Sequence, residues 1–246
     1  MKKTSWQEKY VDRFYRNRPG YVSYHEEWLG LLDRSIEKNS VIVDLGAGPT
    51  NDTTRFLSDR AASLIGVDVD PEVMENRYLD DAHVYDGTKI PLPDACADVV
   101  TSHWVVEHIT NPEEHCREVC RVLRPGGIYV FRTPNLYHYK TIGALLIPNS
   151  MHTYFVRRLR NRTTDAHDPY PTHYRLNSEG RIRKEMERSG LKVDAIHYGE
   201  GLPSYGMSSR VLFLLFMAYE RVVNSSRLFR RLRHTIDCVG RKATLE

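Results

Sequence analysis

The run Val41-Ile42-Val43-Asp44-Leu45, apolar but for one acid and rich in β-branched residues, passes straight into Gly46-Ala47-Gly48-Pro49-Thr50. A short, continuously apolar run is what a strand covered on both faces of a parallel sheet needs, and the glycines supply a tight exit from it. Asn51 or Asp52 then caps a helix reaching about Asp59. The unit recurs along the chain. Leu64-Ile65-Gly66-Val67-Asp68 reads as a second strand, followed by a helix that Pro71 opens, and His83-Val84-Tyr85-Asp86 and Asp98-Val99-Val100-Thr101-Ser102 read as the third and fourth. A helix from Asn111-Pro112 to Arg121 leads through the turn Leu123-Arg124-Pro125-Gly126-Gly127 into Ile128-Tyr129-Val130-Phe131, the fifth. Strands alternating with helices at this spacing predict a doubly wound α/β sheet with right-handed crossovers.

Around this alternation, residues 4–38 hold two helical patterns broken by Asn17-Arg18-Pro19-Gly20. Beyond Asn135 the pattern dissolves into an aromatic, basic stretch as far as Thr172, too long for a plain connection. Regular structure resumes with a helix capped at Asn177-Ser178-Glu179, a strand from Leu191 to Ile196, an apolar helix from Ser208 to Val223 and a last strand from His234 to Arg241. The expected organisation is one domain over 1–246: a helical cap at 1–39, a ligand-binding half at 40–134, an insertion or lid at 135–175 and a carboxyl-terminal half at 176–244, with Leu245-Glu246 a tag remnant.

Composition excludes several classes. With 41% hydrophobic and 27% charged residues the chain is built to fold. Its longest apolar stretch, Val211 to Ala218, falls well short of the roughly 18 residues of a membrane-spanning helix. The residues after Lys2-Lys3 turn polar, unlike a signal peptide. Four irregularly spaced cysteines (Cys96, Cys116, Cys120, Cys238) predict reduced thiols, a cytoplasmic location and no metal site. A net charge of +3 is too small to favour a nucleic-acid partner, although Arg157, Arg158, Arg160 and Arg162 form one cluster and Arg227, Arg230, Arg231 and Arg233 another.

Ligands of an open α/β sheet bind beyond the carboxyl ends of its strands. Gly46 and Gly48 let a ligand approach the backbone there, and Asp68, twenty positions after Gly48, is placed to accept ribose hydroxyls. A dinucleotide site needs a third glycine where this chain has Asn51, and Pro49 has no N–H for a pyrophosphate. A ribose-containing ligand without a pyrophosphate suits the turn.

Val43-Asp44-Leu45-Gly46-Ala47-Gly48 resembles the first motif of the class I S-adenosylmethionine-dependent methyltransferases, in their small-molecule, type 11-like group. Asp68, the segment Asp86-Gly87 with Ile90-Pro91-Leu92-Pro93, the stretch Ala97 to Ile109 and Leu123 to Gly127 resemble later motifs in the same order, over residues 40–134. The resemblance implies a seven-stranded, mostly parallel sheet of Rossmann-like type with an antiparallel final strand, an amino-terminal helical segment and an insertion after strand five. It implies S-adenosyl-L-methionine as cofactor and S-adenosyl-L-homocysteine as product, with Asp44, Gly46, Ala47 and Gly48 around the methionine part. Asp68 would meet the ribose, with Val69 beside it also at the cofactor, Asp86 and Gly87 the adenine, and Ser102 and His103 the cofactor's amino group or the reaction centre. Thr50 departs from the glycine that many members carry.

The implied activity is methyl transfer to a small-molecule, lipid-linked or saccharide acceptor at a hydroxyl, whose proton a histidine is suited to take. His108 is the first candidate base, because Glu107-His108 resembles the pair found there in small-molecule methyltransferases; His103 is the second, and His138, His152, His167 and His173 follow in the insertion. The insertion's aromatics, among them Tyr137, Tyr139, Tyr154, Phe155, Tyr170 and Tyr174, would line an acceptor pocket or form a small core of their own. An RNA methyltransferase is the nearest alternative, but Ser102-His103-Trp104-Val105 lacks the Pro-Pro-aromatic clamp of a flipped base. A nucleotide-binding module without catalysis is another. Weak membrane-surface contact through Val211 to Met217 and the basic segment after it is the further partner considered. The sequence leaves the oligomeric state open.

Overall fold

The computed structural model describes residues 5–146 and 170–244. The chain divides into two compact units, the first drawing on Met1–Glu27, Tyr137–Pro169 and Tyr198–His234, the second on Trp28–Leu136, Tyr170–His197 and Thr235–Glu246. In chain order the elements are α1 (Trp6–Val11), which continues as a π-helical turn at Asp12–Arg16, α2 (Tyr24–Ser35), β1 (Ser40–Leu45), α3 (Asp52–Ser58) and β2 (Ala61–Asp68). Then come β3 (Asp81–Val84), β4 (Ala97–His103), α4 (Pro112–Val122), β5 (Leu123–Pro134), α5 (Tyr139–Leu146), α6 (Glu179–Arg188), β6 (Leu191–Gly199), α7 (Arg210–Ser225) and β7 (Thr235–Lys242).

The seven strands form one sheet in the order β3-β2-β1-β4-β5-β7-β6. β1 to β5 pair in parallel, and β7 runs antiparallel to β5. This is the expected doubly wound, Rossmann-like methyltransferase architecture, and the strand order reverses between β1 and β4, where ligands of such sheets bind. Ile42, Val43, Leu45, Val99 and Val100 are buried, which is why β1 and β4 read as unbroken apolar runs. Trp28, Leu31 and Leu32 of α2 and Leu57 of α3 pack on this core. Arg132 and Asp237, register partners on β5 and β7, form a buried bidentate pair with both contacts at 2.6 Å. That geometry satisfies a charge pair no water reaches.

Several elements differ from the sequence reading. β3 lies at Asp81–Val84 instead of 83–86, because its partner β2 ends at Asp68, whose O accepts the Tyr85 amide, and the Asp86 carboxylate then accepts the Thr88 amide in a turn. Leu123–Gly127 stays in β5: Leu123 pairs with Ala97 and the register shifts before Ile128, so Gly126 (φ +79°) sits in an irregularity of the ladder where a turn was expected. Pro71 opens only a 3-10 turn ending at Glu75, since Asn76 leaves the helical region (φ −76°, ψ 101°).

The first unit has its own core of Val11, Tyr15 and Phe213, with Trp6, Tyr10 and Phe14 packed around it. Tyr139 of α5, a helix the sequence reading did not foresee, stacks on Phe216 of α7 at 4.7 Å and 3°. His138 and Glu200 make a buried pair at 3.4 Å in the same unit.

Candidate functional site

β1 ends at Leu45, and the chain leaves it through two residues in the left-handed region, Gly46 at φ +77° and Gly48 at φ +57°. A Cβ at Gly46 would lie 2.2 Å from Val105 Cγ2, whereas one at Gly48 would meet nothing within 4 Å. Gly48 therefore marks the open side of the loop. Asn51 caps α3 by accepting the Thr54 N–H, and its Nδ2 donates to Ala47 O at 2.8 Å. Asn76 Nδ2 donates to Gly48 O at 2.9 Å, and Asp68 Oδ2 accepts the Gly48 N–H at 2.9 Å. These contacts hold the loop's backbone in place.

A cavity of about 390 Å³ opens at this loop, within the roughly 300–1,000 Å³ of small-ligand sites. Asp68, Val69, Tyr85, Asp86, Gly87 and Thr88 line one part of it. Hydrogen bonds from the Thr88 hydroxyl and amide hold the Asp86 carboxyl below the usual carboxylate range. Burial, with the carboxylates of Asp68 and Asp86 nearby, pushes the Tyr85 phenol up to about 12. Two carboxylates and a neutral phenol suit a ligand that offers hydroxyl and amino hydrogens, and they repel a pyrophosphate. The adenosine end of S-adenosylmethionine, with its ribose hydroxyls and adenine amino group, meets that description.

His103, Trp104, Val105, His108, Ile109 and Thr110 line a second part, and the segment Tyr170-Pro171-Thr172-His173 lends Tyr170, Pro171 and His173. This strap is fastened to the chain after β4. The amides of His173 and Tyr174 both donate to Glu107 O, at 2.7 and 3.1 Å, and Arg175 Nη1 donates to Thr110 O at 2.7 Å. His108 Nδ1 lies 2.9 Å from Pro171 O, and the Tyr170 ring meets the His108 ring edge-on at 6.2 Å. Glu107 itself is buried, its Oε2 accepting the Thr133 hydroxyl at 3.2 Å, and burial pushes its carboxyl up to about 7.

Of the residues expected at the site, Gly46, Asp68, Val69, Asp86, Gly87, His103 and His108 line the cavity. Asp44 and Ala47 are buried beneath the loop, where Asp44 Oδ2 accepts the Thr54 hydroxyl and burial pushes the carboxyl up to about 7. Ser102 is not brought to the cavity. Successive residues of a strand face opposite sides of the sheet, and its Oγ lies 2.9 Å from Tyr129 Oη, which also meets His115 Nε2 at 2.9 Å. His103 lies flat on Trp28 (5.2 Å, 12°), which is in turn 5.3 Å from the Arg132 guanidinium. His138 belongs to the first unit with Glu200. His152, His167, Tyr154, Phe155, Arg157, Arg158, Arg160 and Arg162 lie outside the described residues. Sequence reasoning missed Tyr85, Thr88 and Trp104, the last held at φ +62° as the chain leaves β4. Their signal is position alone, each within two residues of an expected site residue.

Residues 43–131 match the family described as methyltransferase domain. A protein of Mycolicibacterium smegmatis named "Probable S-adenosylmethionine-dependent methyltransferase" is 38% identical over 85 residues, covering 32% of this chain and 33% of that one. A malonyl-(acyl-carrier protein) O-methyltransferase of Marinomonas sp. is 28% identical over 143 residues, covering 52% and 53%. The chain thus spans between a third and about half the length of these curated relatives. An S-adenosylmethionine-dependent methyltransferase of Mesorhizobium loti shares the fold, with a TM-score of 0.53 at 16% identity over 89% of this chain and 97% of that one. Residues 43–131 therefore match a methyltransferase domain, and the chain is similar over part of its length to S-adenosylmethionine-dependent methyltransferases.

Proposed function

We propose that the protein transfers the methyl group of S-adenosylmethionine to a hydroxyl of a small-molecule, lipid-linked or saccharide acceptor, with His108 taking the hydroxyl proton. The cofactor when bound supplies an electrophilic sulfonium methyl that needs no further activation. Asp68 and Val69 hold the ribose, Asp86 and Gly87 the adenine, and the backbone of Gly46 to Gly48 the amino-acid end. What remains for the chain is to position the acceptor, keep water out and accept a proton. With the cofactor supplying the methyl group and S-adenosylhomocysteine as the product, His108 Nε2 would take the proton that the acceptor hydroxyl gives up.

The contact of His108 Nδ1 with Pro171 O, at 2.9 Å, carries this reading. A carbonyl oxygen only accepts, so Nδ1 holds the proton, and in the neutral ring the basic lone pair is on Nε2. His103, stacked on Trp28, serves instead as a wall of the site. The name of the Marinomonas relative favours oxygen as the atom methylated.

The test is calorimetric titration with S-adenosylhomocysteine, with NAD and NADP as controls, followed by transfer of labelled methyl to a panel of glycans, phenols, lipid-linked sugars and RNA. Binding of S-adenosylhomocysteine and of neither dinucleotide, at roughly micromolar affinity, and label on a hydroxylated acceptor are expected. Preference for NAD or NADP would overturn the cofactor, label on RNA would overturn the acceptor class, and binding without any turnover would leave an inert nucleotide-binding module.

A further inference from the structure

α7 has two apolar faces, and among the described residues the first unit buries one of them. Phe213, Glu220 and Val223 are buried, with Glu220 held by the Tyr15 hydroxyl at 3.1 Å. Val211 (66%), Leu214 (39%), Leu215 (60%) and Val222 (55%) are exposed, and Ala218 between them is exposed too. These positions recur at i, i+3, i+4, i+7 and i+11, so they fall in one stripe about 100° wide, opposite Phe213 and Glu220. The 3-10 turn after α7, Arg227–Leu232, continues the pattern. Leu228 is 81% exposed, Phe229 and Leu232 are exposed, and so are Arg227, Arg230 and Arg231. Tyr219 Oη donating to Leu232 O at 2.6 Å, and Arg233 Nε to Val223 O at 3.2 Å, tie this turn to the helix.

We propose that this face docks on an anionic lipid bilayer surface, α7 lying along it with its apolar stripe in the headgroup–acyl boundary and the arginines of 227–231 among the headgroups. Charge decides the occupant. Residues 221–236 contain five arginines and no aspartate or glutamate. A second copy meeting this face about a two-fold axis brings arginines against arginines with no acid to offset them, since the lone acid of α7, Glu220, is buried. An RNA partner would not need leucines and valines in contact. An anionic bilayer uses both components, the apolar side chains by burial and the guanidinium groups by attraction while their stems lie along the apolar surface. Among the described residues no helix is long and apolar enough to cross a membrane, so the contact is a surface one. The inference does not depend on the proposed reaction.

Co-sedimentation of the full chain with phosphatidylcholine vesicles, alone and with about a third phosphatidylglycerol, tests it at low and at physiological salt. Binding to the anionic vesicles, at least about tenfold weaker on neutral ones, is expected. The pairs Leu215→Glu with Leu228→Glu and Arg227→Glu with Arg230→Glu each weaken it by about tenfold or more, while circular dichroism shows the wild-type fold, because all four side chains are exposed. Absence of binding to anionic vesicles at low salt would overturn the proposal. So would binding that the leucine pair leaves unchanged, which is attraction by charge alone. A lipid-free dimer that Leu215→Glu dissociates would also overturn it, giving the face to a second copy.

Discussion

His108 Nδ1 lies 2.9 Å from the carbonyl oxygen of Pro171, a residue 63 positions further along the chain. One contact thus fastens the strap to the segment after β4 and sets which ring nitrogen is basic. Asparagine at 108 retains a donor near the place of Nδ1 and lacks Nε2. His108→Asn is expected to lower the rate of methyl transfer by about 10²–10⁴, the usual contribution of a positioned base, with affinity for S-adenosylhomocysteine unchanged. His108→Ala loses the strap contact as well and is expected to weaken that affinity too. Single-turnover rates and calorimetry separate the two, and an asparagine variant as fast as the wild type would remove His108 from the chemistry.

Asp68 accepts from two backbone amides, Gly48 N–H on Oδ2 and Asp70 N–H on Oδ1, both at 2.9 Å. A carboxylate has roughly four acceptor sites, so lone pairs remain for ribose hydroxyls. Asp68→Asn turns one acceptor into a donor that then faces an amide donor. Affinity for S-adenosylhomocysteine is expected to fall by about ten- to a hundredfold, in keeping with the loss of charge-assisted hydrogen bonds, and Asp68→Ala by at least as much. Titration of both variants beside the wild type checks this, and unchanged affinity would move the ribose elsewhere.

The parts of the fold that the sequence discloses are those where one constraint acts alone. β1 and β4 are covered on both faces, so burial writes an unbroken apolar run, and Asn51 and Asn111 announce α3 and α4 through cap bonds to Thr54 and Glu114. β3 pairs only with β2 and is half-exposed, so its four residues carry no apolar signature and its bounds fall two residues earlier than the sequence pattern suggests. Pro125-Gly126-Gly127 has the chemistry of a turn, yet pairing of Leu123 with Ala97 holds the segment in the ladder. At the site, glycines with positive φ and an acid at a strand tip are legible from spacing. The strap is not, since nothing near Tyr170 signals that His173 and Tyr174 will donate to Glu107 O. Alternation along β4 sends His103 to the cavity and turns the Ser102 hydroxyl to Tyr129.

The buried Glu107 gives the second unit a pH dependence of definite sign. Burial pushes its carboxyl from the usual 4.5 up to about 7, against the lowering effect of its hydrogen bonds. Over that window the folded chain binds more protons than the unfolded one, so this group's contribution to stability is present below about 4.5 and is lost as pH rises through about 7. Asp44, also pushed up to about 7 by burial, acts with the same sign. His115 acts against both: burial pushes it from 6.5 down to about 4, so its folded form binds fewer protons, and its contribution grows as pH rises between those values. Glu107→Gln deletes only the first of these. The melting temperature of the variant relative to the wild type is expected to climb from about pH 5 to pH 8, by the equivalent of up to about 3 kcal/mol. Parallel curves for the two proteins would mean that Glu107 is ionised throughout.

Gly46 and Gly48 share a positive φ and differ in what lies above them, which makes them a paired test of where the ligand sits. Alanine at 46 places its Cβ 2.2 Å from Val105 Cγ2. Since Val105 also lines the cavity, either the loop or that wall must move. Overpacking of this kind, added to left-handed backbone strain, costs about 2–5 kcal/mol, so Gly46→Ala is expected to lower the melting temperature markedly. Alanine at 48 bears the backbone strain alone, about 1–2 kcal/mol, because no atom lies within 4 Å of its Cβ. That methyl occupies the space left on the open side of the loop, so Gly48→Ala is expected to stay folded and to lose affinity for S-adenosylhomocysteine by about tenfold or more, as a ligand held against bare backbone would. Melting curves and calorimetry on the pair read the two effects independently. If Gly48→Ala binds as tightly as the wild type, the amino-acid end of the cofactor does not lie against this loop, and Asp68 and Asp86 must hold the ligand from the other side of the cavity.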